Sequence, residues 1–343
     1  MGEASPLVCL CVPTYNAERT LRETLESLLA QTYRNLVIRV SDNASTDRTV
    51  EIAESFRTSR ISVYRQEKNL GAEGNFSRCI ELSTGTYTGI FHADDVYGPD
   101  MVEKQVDYLE SHLPCGVVFT RAAVIDDNGT AYGTIGGPPE RDRYAWDYDF
   151  EGLFKALLKY SNFLLCPSAM VRTRIYQREI KRWRDELFGS SADLDVWLRI
   201  AMAHRAAVLG EKLMRYRISL AQGSTKLIRE RTERGDFFKT MDHYISLPDL
   251  RVALSDEDLR NYRWLERSDR IVRAVNLYVA DRFEEASNLS RGILSKDALH
   301  AALANRRGLI VFLGGIYIRL LLLFRLRKLG KITLQRLKRV AQK

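Results

Sequence analysis

The chain has 343 residues with 45% apolar and 28% charged side chains, a globular mix that argues against a disordered or collagen-like chain and fills one large or two smaller domains. Its net charge of +8 is localised: from Leu299 onward there are eleven Lys and Arg and no Asp or Glu, so the other 298 residues carry 41 bases against 44 acids, a net of −3. A basic face across the whole fold is therefore not expected, nor is a nucleic-acid partner, and five scattered cysteines (Cys9, Cys11, Cys79, Cys115, Cys166) fit buried reduced thiols better than a disulfide framework or a zinc cluster.

The first third alternates apolar runs with amphipathic ones. Leu7–Val12 reads as a buried strand. Glu18–Ala30 carries Leu21, Leu25, Leu28 and Leu29 at helical spacing. Strands at Leu36–Val40, Ile61–Tyr64 and Tyr87–His92 alternate with helices at Arg48–Phe56, Glu73–Leu82 and Pro99–Leu109. This alternation predicts an α/β fold with a doubly wound, mostly parallel sheet. Further on, Gly116–Ile125 reads as a strand, Asp126–Gly129 as a turn, Thr134–Trp146 as a loop, Leu153–Tyr160 as a helix and Leu164–Val171 as a strand. Asp193–Ala203 then reads as a helix, followed by short strands at Ala206–Leu209 and Leu213–Tyr216. The expected division is a first domain over 1–225, a helical region over 226–305 and a tail over 306–343.

The tail has two parts. Leu309–Phe324 is almost wholly apolar but is interrupted by two glycines and Arg319, and falls short of the ~20 residues that span a bilayer. From Arg325 to Lys343, Leu326, Leu329, Leu337 and Val340 share one side of a helical wheel, and Arg325, Arg327, Lys328, Lys331, Arg336, Lys338 and Arg339 share the rest. Such a helix suits an anionic membrane surface; packing on a partner subunit is the alternative. With no charged leader and no long apolar run before a cleavage site, the expected place is the cytoplasm, peripheral at the inner face of the cell membrane.

Four polar clusters follow apolar strands or open a helix, where a doubly wound sheet receives ligands. They are Val12–Asn16, Ser41–Asp47, His92–Asp95 and Asp193–Trp197. Neighbouring carboxylates such as Asp94 and Asp95 repel unless a cation or donors compensate. They point to a hard divalent metal completed by a phosphate-bearing ligand; capping of the next helix is the bland alternative. Neither G-x-G-x-x-G nor a P-loop follows the first strand, which removes the main support for a dinucleotide oxidoreductase or a P-loop NTPase.

The ordered set Thr14-Tyr15-Asn16, Gln31-Thr32-Tyr33, Asp42-Asn43-x-Ser45-x-Asp47, Asn69-Leu70-Gly71, Asp94-Asp95 and Asp193-x-x-x-Trp197 resembles family 2 glycosyltransferases over about residues 7–220. The resemblance implies a GT-A fold and an inverting, nucleotide-sugar-dependent transferase of the hexosyltransferase type. It implies Asp193 as the catalytic base and Pro13, Thr14, Tyr15, Asn16, Asp42, Asn69, Asp94 and Arg217 as donor-binding residues. Tyr15 would stack on the base and Asp42 would accept from it. Asp95, with Asp94 and His92, would hold Mn²⁺ or Mg²⁺ on the diphosphate. Two positions depart from the pattern: many relatives carry an acid where His92 stands and a histidine where Ser219 stands. Asp193 is also placed to cap its helix, with Asp195 as an alternative base, and Asp42 is good turn chemistry.

The expected function is transfer from a nucleotide-diphosphate donor, a UDP-sugar by preference, to a glycan or lipid-linked hydroxyl acceptor in cell-surface polysaccharide or glycolipid synthesis. The alternative from another class is a non-catalytic nucleotide-sugar-binding protein docked at the membrane; the full set of five acidic and aromatic positions favours the enzyme.

Overall fold

The computed structural model describes residues 5–139, 144–219, 230–291 and 306–340, with Leu299 and Leu303, and forms two compact units, Met1–Ile218 and Ser219–Lys343. In the first unit, β1 (Val8–Thr14), β2 (Leu36–Asp42), β3 (Ile61–Arg65) and β4 (Tyr87–Ile90) alternate with α1 (Leu21–Leu29), α2 (Thr49–Ser55) and α3 (Gly71–Leu82). The four strands pair in parallel in the order β3-β2-β1-β4. Parallel strands are covered on both faces, which is why Val8–Val12 is an unbroken buried run. α1 turns Leu21, Leu25 and Leu28 into the core from successive helical turns. The order reverses at β1: β2 and β3 lie to one side and β4 to the other. The carboxyl ends of β1 and β4 therefore flank the switch point of the sheet.

Past β4 the sheet becomes mixed. β5 (Val96–Tyr97), α4 (Met101–Ser111), β6 (Cys115–Ile125), β7 (Ala131–Ile135), β8 (Ala145–Tyr148), α5 (Phe150–Tyr160) and β9 (Met170–Arg172) follow. Next come α6 (Thr173–Ile175), a π turn over Tyr176–Ile180, α7 (Asp185–Phe188), α8 (Ala192–Ala201) and β10 (Arg205–Arg217). The full order is β3-β2-β1-β4-β9-β6-β10-β5, with β7 on β6 and β8 on β10. β9 is antiparallel to both β4 and β6, whereas β10 runs parallel to β6. α8 seats Trp197 in the core, its ring edge-on to Phe119 at 5.0 Å and to Trp183 at 6.0 Å.

Several elements differ from expectation. Of the expected strand 164–171 only Met170 and Val171 pair, in β9, because Pro167 offers no N–H and Cys166–Ser168 coils into a 3₁₀ turn. The expected loop 134–146 is strand at its described ends. β7 lies on β6 until Gly136 and Gly137 leave it with φ of 84° and 69°. The two expected strands 206–209 and 213–216 are one, with the register slipping between Leu209 and Lys212.

The second unit is helical: Asp236–Ile245, Pro248–Ala253, Asp256–Val279, Phe283–Ser290, Arg306–Leu323 and Arg327–Val340. Ser255 and Asp258 form a capping box at the start of the long helix. Its core gathers Ala274, Leu277, Tyr278, Ala286, Ile318, Leu321 and Leu334. Gly330 lies flat on Tyr278: a Cβ there would stand 2.5 Å from the phenol oxygen. The chain turns between the last two helices at Arg325, whose φ is 52°, so the final helix begins at Arg327. Gly330 and Leu334 form its packed side, while Leu326, Leu329 and Ile332 are exposed. The side chains expected at Leu337 and Val340 lie outside the described residues, as does the expected domain boundary at 225. Among the described residues no helix is long and apolar enough to cross a membrane.

Candidate active site

At the switch point the chain leaves β1 through Pro13-Thr14-Tyr15-Asn16. Asn16 takes φ 48°, a conformation asparagine tolerates better than most residues. Its N–H donates to Ser45 Oγ at 2.9 Å and its Oδ1 accepts from Thr46 N at 2.9 Å, which locks the β1 turn to the β2 turn. Thr14 pairs in register with Asp42, and its hydroxyl donates to Asp42 Oδ1 at 3.3 Å. Asp42 is wholly buried, with Oδ2 accepting from Ser45 N at 3.1 Å and Oδ1 from Ser45 Oγ. Its first duty is thus to shape the turn. Asn69 Oδ1 accepts from Asn43 Nδ2 at 2.9 Å and Gly71 N at 2.8 Å, closing the same wall from the start of α3. With the backbone so occupied, Tyr15 is left half exposed, its ring offered at the rim.

The segment after β4 carries His92, Asp94 and Asp95, whose ligand atoms lie within 4.8 Å of one another. The His92 ring stacks on Phe76 at 5.4 Å, and Phe76 rests on Trp183 at 4.9 Å. Burial holds the imidazole below its ordinary pKa, against the pull of Asp94. Asp95 is 1% exposed; burial and the neighbouring Asp94 raise its pKa well above the carboxylate range. Its Oδ1 accepts from Arg217 N at 2.8 Å. Among the described residues, His92 Nε2 and Asp95 Oδ2 are buried without a protein partner. A buried nitrogen lone pair beside two carboxylates suits a divalent cation with mixed N and O ligands.

Asp193 is the second residue of α8, and its Oδ1 accepts from Leu194 N at 2.7 Å. Burial pushes its pKa up to about 6, with Glu73 of α3 adding to the rise and main-chain N–H donors opposing it. Asp195 belongs elsewhere: it is fully buried, paired with Arg184 and, at 3.0 Å, with Arg199. The alternative base at position 195 is thereby corrected, because its oxygens are committed to two guanidinium groups. The Tyr216 phenol feels burial first and then Asp95, Asp94 and Asp193, and the Cys166 thiol feels Asp193 and Asp95 after burial. Asp95, after β4, and Asp193, on α8, thus act on the same two groups, Tyr216 and Cys166.

Arg217, expected at the diphosphate, is only 4% exposed. Its guanidinium donates to Asp94 O at 2.9 Å, Asp126 O at 3.0 Å and Glu23 Oε2 at 2.6 Å. The structure places it as a brace behind the carboxylates. Tyr216 and Cys166 were not singled out by the sequence. The Tyr216-Arg217 pair at the end of an apolar strand was the one signal for the first. No local signal marks Cys166, which a proline-broken segment brings in.

The family model for glycosyl transferase family 2 matches residues 9–180, a span holding His92, Asp94, Asp95 and the β1 and β2 turns but not Trp183, Arg184 or the residues on α8 and β10. The chain belongs to glycosyltransferase family 2. It is 31% identical, over 218 residues, to an uncharacterized glycosyltransferase of Methanocaldococcus jannaschii; the match covers 62% of this chain and 71% of the relative. A UDP-Glc:alpha-D-GlcNAc-diphosphoundecaprenol beta-1,3-glucosyltransferase of Escherichia coli is 27% identical, over 49% of this chain and 62% of its own length. Among solved structures, S. aureus TarS 1-349 with UDP has a TM-score of 0.55 at 18% identity, covering 96% of this chain and 88% of that one. The Pyrobaculum calidifontis mannosyltransferase with GDP-Man and Mn²⁺ has a TM-score of 0.54 at 17% identity, over 92% and 86%. The GT-A fold and the glycosyltransferase activity expected from the sequence are both borne out.

Proposed function

We propose that this glycosyltransferase moves a sugar from a nucleoside-diphosphate donor to a hydroxyl of a glycan or lipid-linked acceptor with inversion, in the synthesis of a cell-surface polysaccharide. The observation that carries the reading is the cluster of His92, Asp94 and Asp95 just after β4, with Asp95 and Asp193 both acting on Tyr216 and Cys166. The half-exposed Tyr15 ring offers a stacking face to the nucleobase, beside the turn that Asn16, Asp42 and Asn69 hold open. His92, Asp94 and Asp95 would hold a divalent cation, Mn²⁺ or Mg²⁺, which when bound neutralises the diphosphate leaving group. Asp193, ionised above pH ~6, takes the proton of the acceptor hydroxyl as that oxygen attacks the anomeric carbon. Attack from the face opposite the diphosphate inverts that carbon. The UDP bound to TarS and the E. coli glucosyltransferase named above support a UDP-sugar and a lipid-linked acceptor.

A peripheral place at an anionic membrane has its own support. Leu309, Ile310, Leu313, Leu323, Phe324 and Leu329 are exposed on the last two helices and the turn between them, interleaved with Arg319, Arg325 and Lys328. Exposed apolar side chains among cations match the interface of a bilayer with anionic lipid.

Incubating the purified chain with UDP-sugars, Mn²⁺ and a diphosphate-lipid acceptor, and reading the anomeric configuration of the product by NMR, tests the reading. A retained configuration or an absence of transfer from every nucleotide sugar overturns it.

A further inference from the structure

The polar side of α1 leads to the segment that carries His92, Asp94 and Asp95. Beside the apolar stripe of Leu21, Leu25 and Leu28, the helix sets Glu23, Thr24 and Ser27 on adjoining positions. Thr24 is 1% exposed, and its hydroxyl donates to Asp95 O at 2.8 Å. Ser27 Oγ accepts from Tyr97 N at 3.1 Å, and the Tyr97 phenol donates to His92 O at 3.2 Å. Glu23 Oε2 accepts from Arg217 Nη2 at 2.6 Å, and Arg217 Nε donates to Asp94 O at 2.9 Å. The main-chain oxygen of each residue in the cluster is thus tied to α1, one directly and two through a single further residue.

The end of the helix repeats the pattern. Gln31 Nε2 donates to Gly98 O at 2.7 Å, its Oε1 accepts from Val102 N at 3.0 Å, and Thr32 N donates to Pro99 O at 2.7 Å. The Gln31-Thr32 pair that stood out in the sequence therefore grips the chain just beyond the cluster.

These bonds fix where the ligand atoms stand. Asp95 is held at both ends, its main-chain oxygen by Thr24 and its Oδ1 by Arg217 N at 2.8 Å. With the peptide plane and one carboxylate oxygen set, the side-chain torsions are set too. Oδ2, buried without a protein partner among the described residues, then has one place to occupy. The His92 ring is fixed likewise, by its main chain and by its stack on Phe76 at 5.4 Å. Ligands ordered before a hard cation arrives bind it more tightly than ligands the cation must order.

We infer that Thr24 and Ser27 are positioning residues of the cation site, acting through the main chain of Asp95 and His92 to set the affinity for the divalent ion. The inference rests on the reading of His92, Asp94 and Asp95 as its ligands.

The test is titration of Mn²⁺ into the full chain with UDP present, the free ion being read by electron paramagnetic resonance. Thr24→Val keeps the shape and removes the hydroxyl, so Mn²⁺ affinity should fall about tenfold or more. Thr24→Ser keeps the donor and should bind Mn²⁺ as the wild type does. UDP affinity in EDTA should be the same in all three proteins. Ser27→Ala, which strands Tyr97 N, should lower Mn²⁺ affinity in the same direction, and it takes the place of Thr24→Val if that variant folds poorly. Unchanged Mn²⁺ affinity in Thr24→Val, or in Ser27→Ala where it stands in, overturns the inference. An equal loss in Thr24→Ser and Thr24→Val assigns the effect to packing and overturns it as well. A wild type that binds no Mn²⁺ with UDP present overturns the cation reading itself, and the inference with it.

Discussion

The main-chain N–H of Arg217, at the end of β10, donates to Asp95 Oδ1 at 2.8 Å, while Oδ2 of the same carboxylate is buried and unpartnered among the described residues. One oxygen serves the fold and the other is left for a ligand, so the two roles separate by substitution. Asp95→Asn keeps an acceptor for the Arg217 N–H. It should melt near the wild type but lose the gain in UDP affinity that Mn²⁺ brings, a gain expected to be tenfold or more. Asp95→Ala should also cost roughly 1–3 kcal/mol of stability, because it strands the buried N–H. Calorimetry with Mn²⁺ and with EDTA, beside thermal melts, checks both; equal UDP affinity in the two buffers removes the metal.

Asp193 and Asp195, one turn-half apart on α8, should respond in opposite ways. Asp193→Asn should bind donor normally and melt normally, with transfer slowed by roughly 10²–10⁴. Asp195→Asn leaves Arg184 and Arg199 without their shared buried carboxylate, at a cost of roughly 3–5 kcal/mol. Single-turnover rates and melting curves separate the two. Wild-type transfer by Asp193→Asn would move the base elsewhere.

The pH profile follows from the same carboxylate. A base must be ionised to act, and burial has raised Asp193 to about 6, with Glu73, Cys166 and Tyr216 around it. The rate should be flat above about pH 7 and fall tenfold per unit as pH drops below 6. The residual rate of Asp193→Asn should lack that limb. A wild-type profile that stays flat to pH 5 contradicts the assignment.

Membrane attachment is best tested on the exposed side chains. Deleting everything from Leu309 would strip Ile318, Leu321 and Leu334 from the core of the second unit, so it tests folding as much as binding. Replacing Leu323, Phe324 and Leu329 by serine removes only exposed apolar surface. Partition into anionic vesicles should fall about a hundredfold or more, and added salt should weaken what remains. Unchanged sedimentation with vesicles places the attachment on another surface.

The doubly wound half of the fold was legible because each of its elements carries its own periodicity. α1 states its buried face in Leu21, Leu25 and Leu28, and β1 its double burial in Val8–Val12. The mixed half was not, because its strands are defined by partners. β9 pairs over three residues beside Pro167, and β5 over only two. At the site, His92, Asp94 and Asp95 could be grouped because they are adjacent in the chain. That Arg217 braces from behind and that Asp195 is bound by two arginines are facts of packing, which local sequence does not express. That Gly330 packs on Tyr278, 52 positions earlier, is likewise a fact of packing that the final helix does not state by itself.

Arg217 touches Glu23 across 194 residues, Asp95 across 122 and Asp126 across 91. Closing loops of that length is entropically demanding, so such contacts form late. As the chain is synthesised, β1 to β4 can pair with one another while β10 is still missing, and the Asp95 carboxylate then lacks the N–H that orients it. The carboxylate cluster therefore matures only when the last strand of the sheet docks. A nascent chain that has made only β1 to β4 and the segment after them holds the His92, Asp94 and Asp95 cluster without its Arg217 brace until the residues that follow Asp193 have been made.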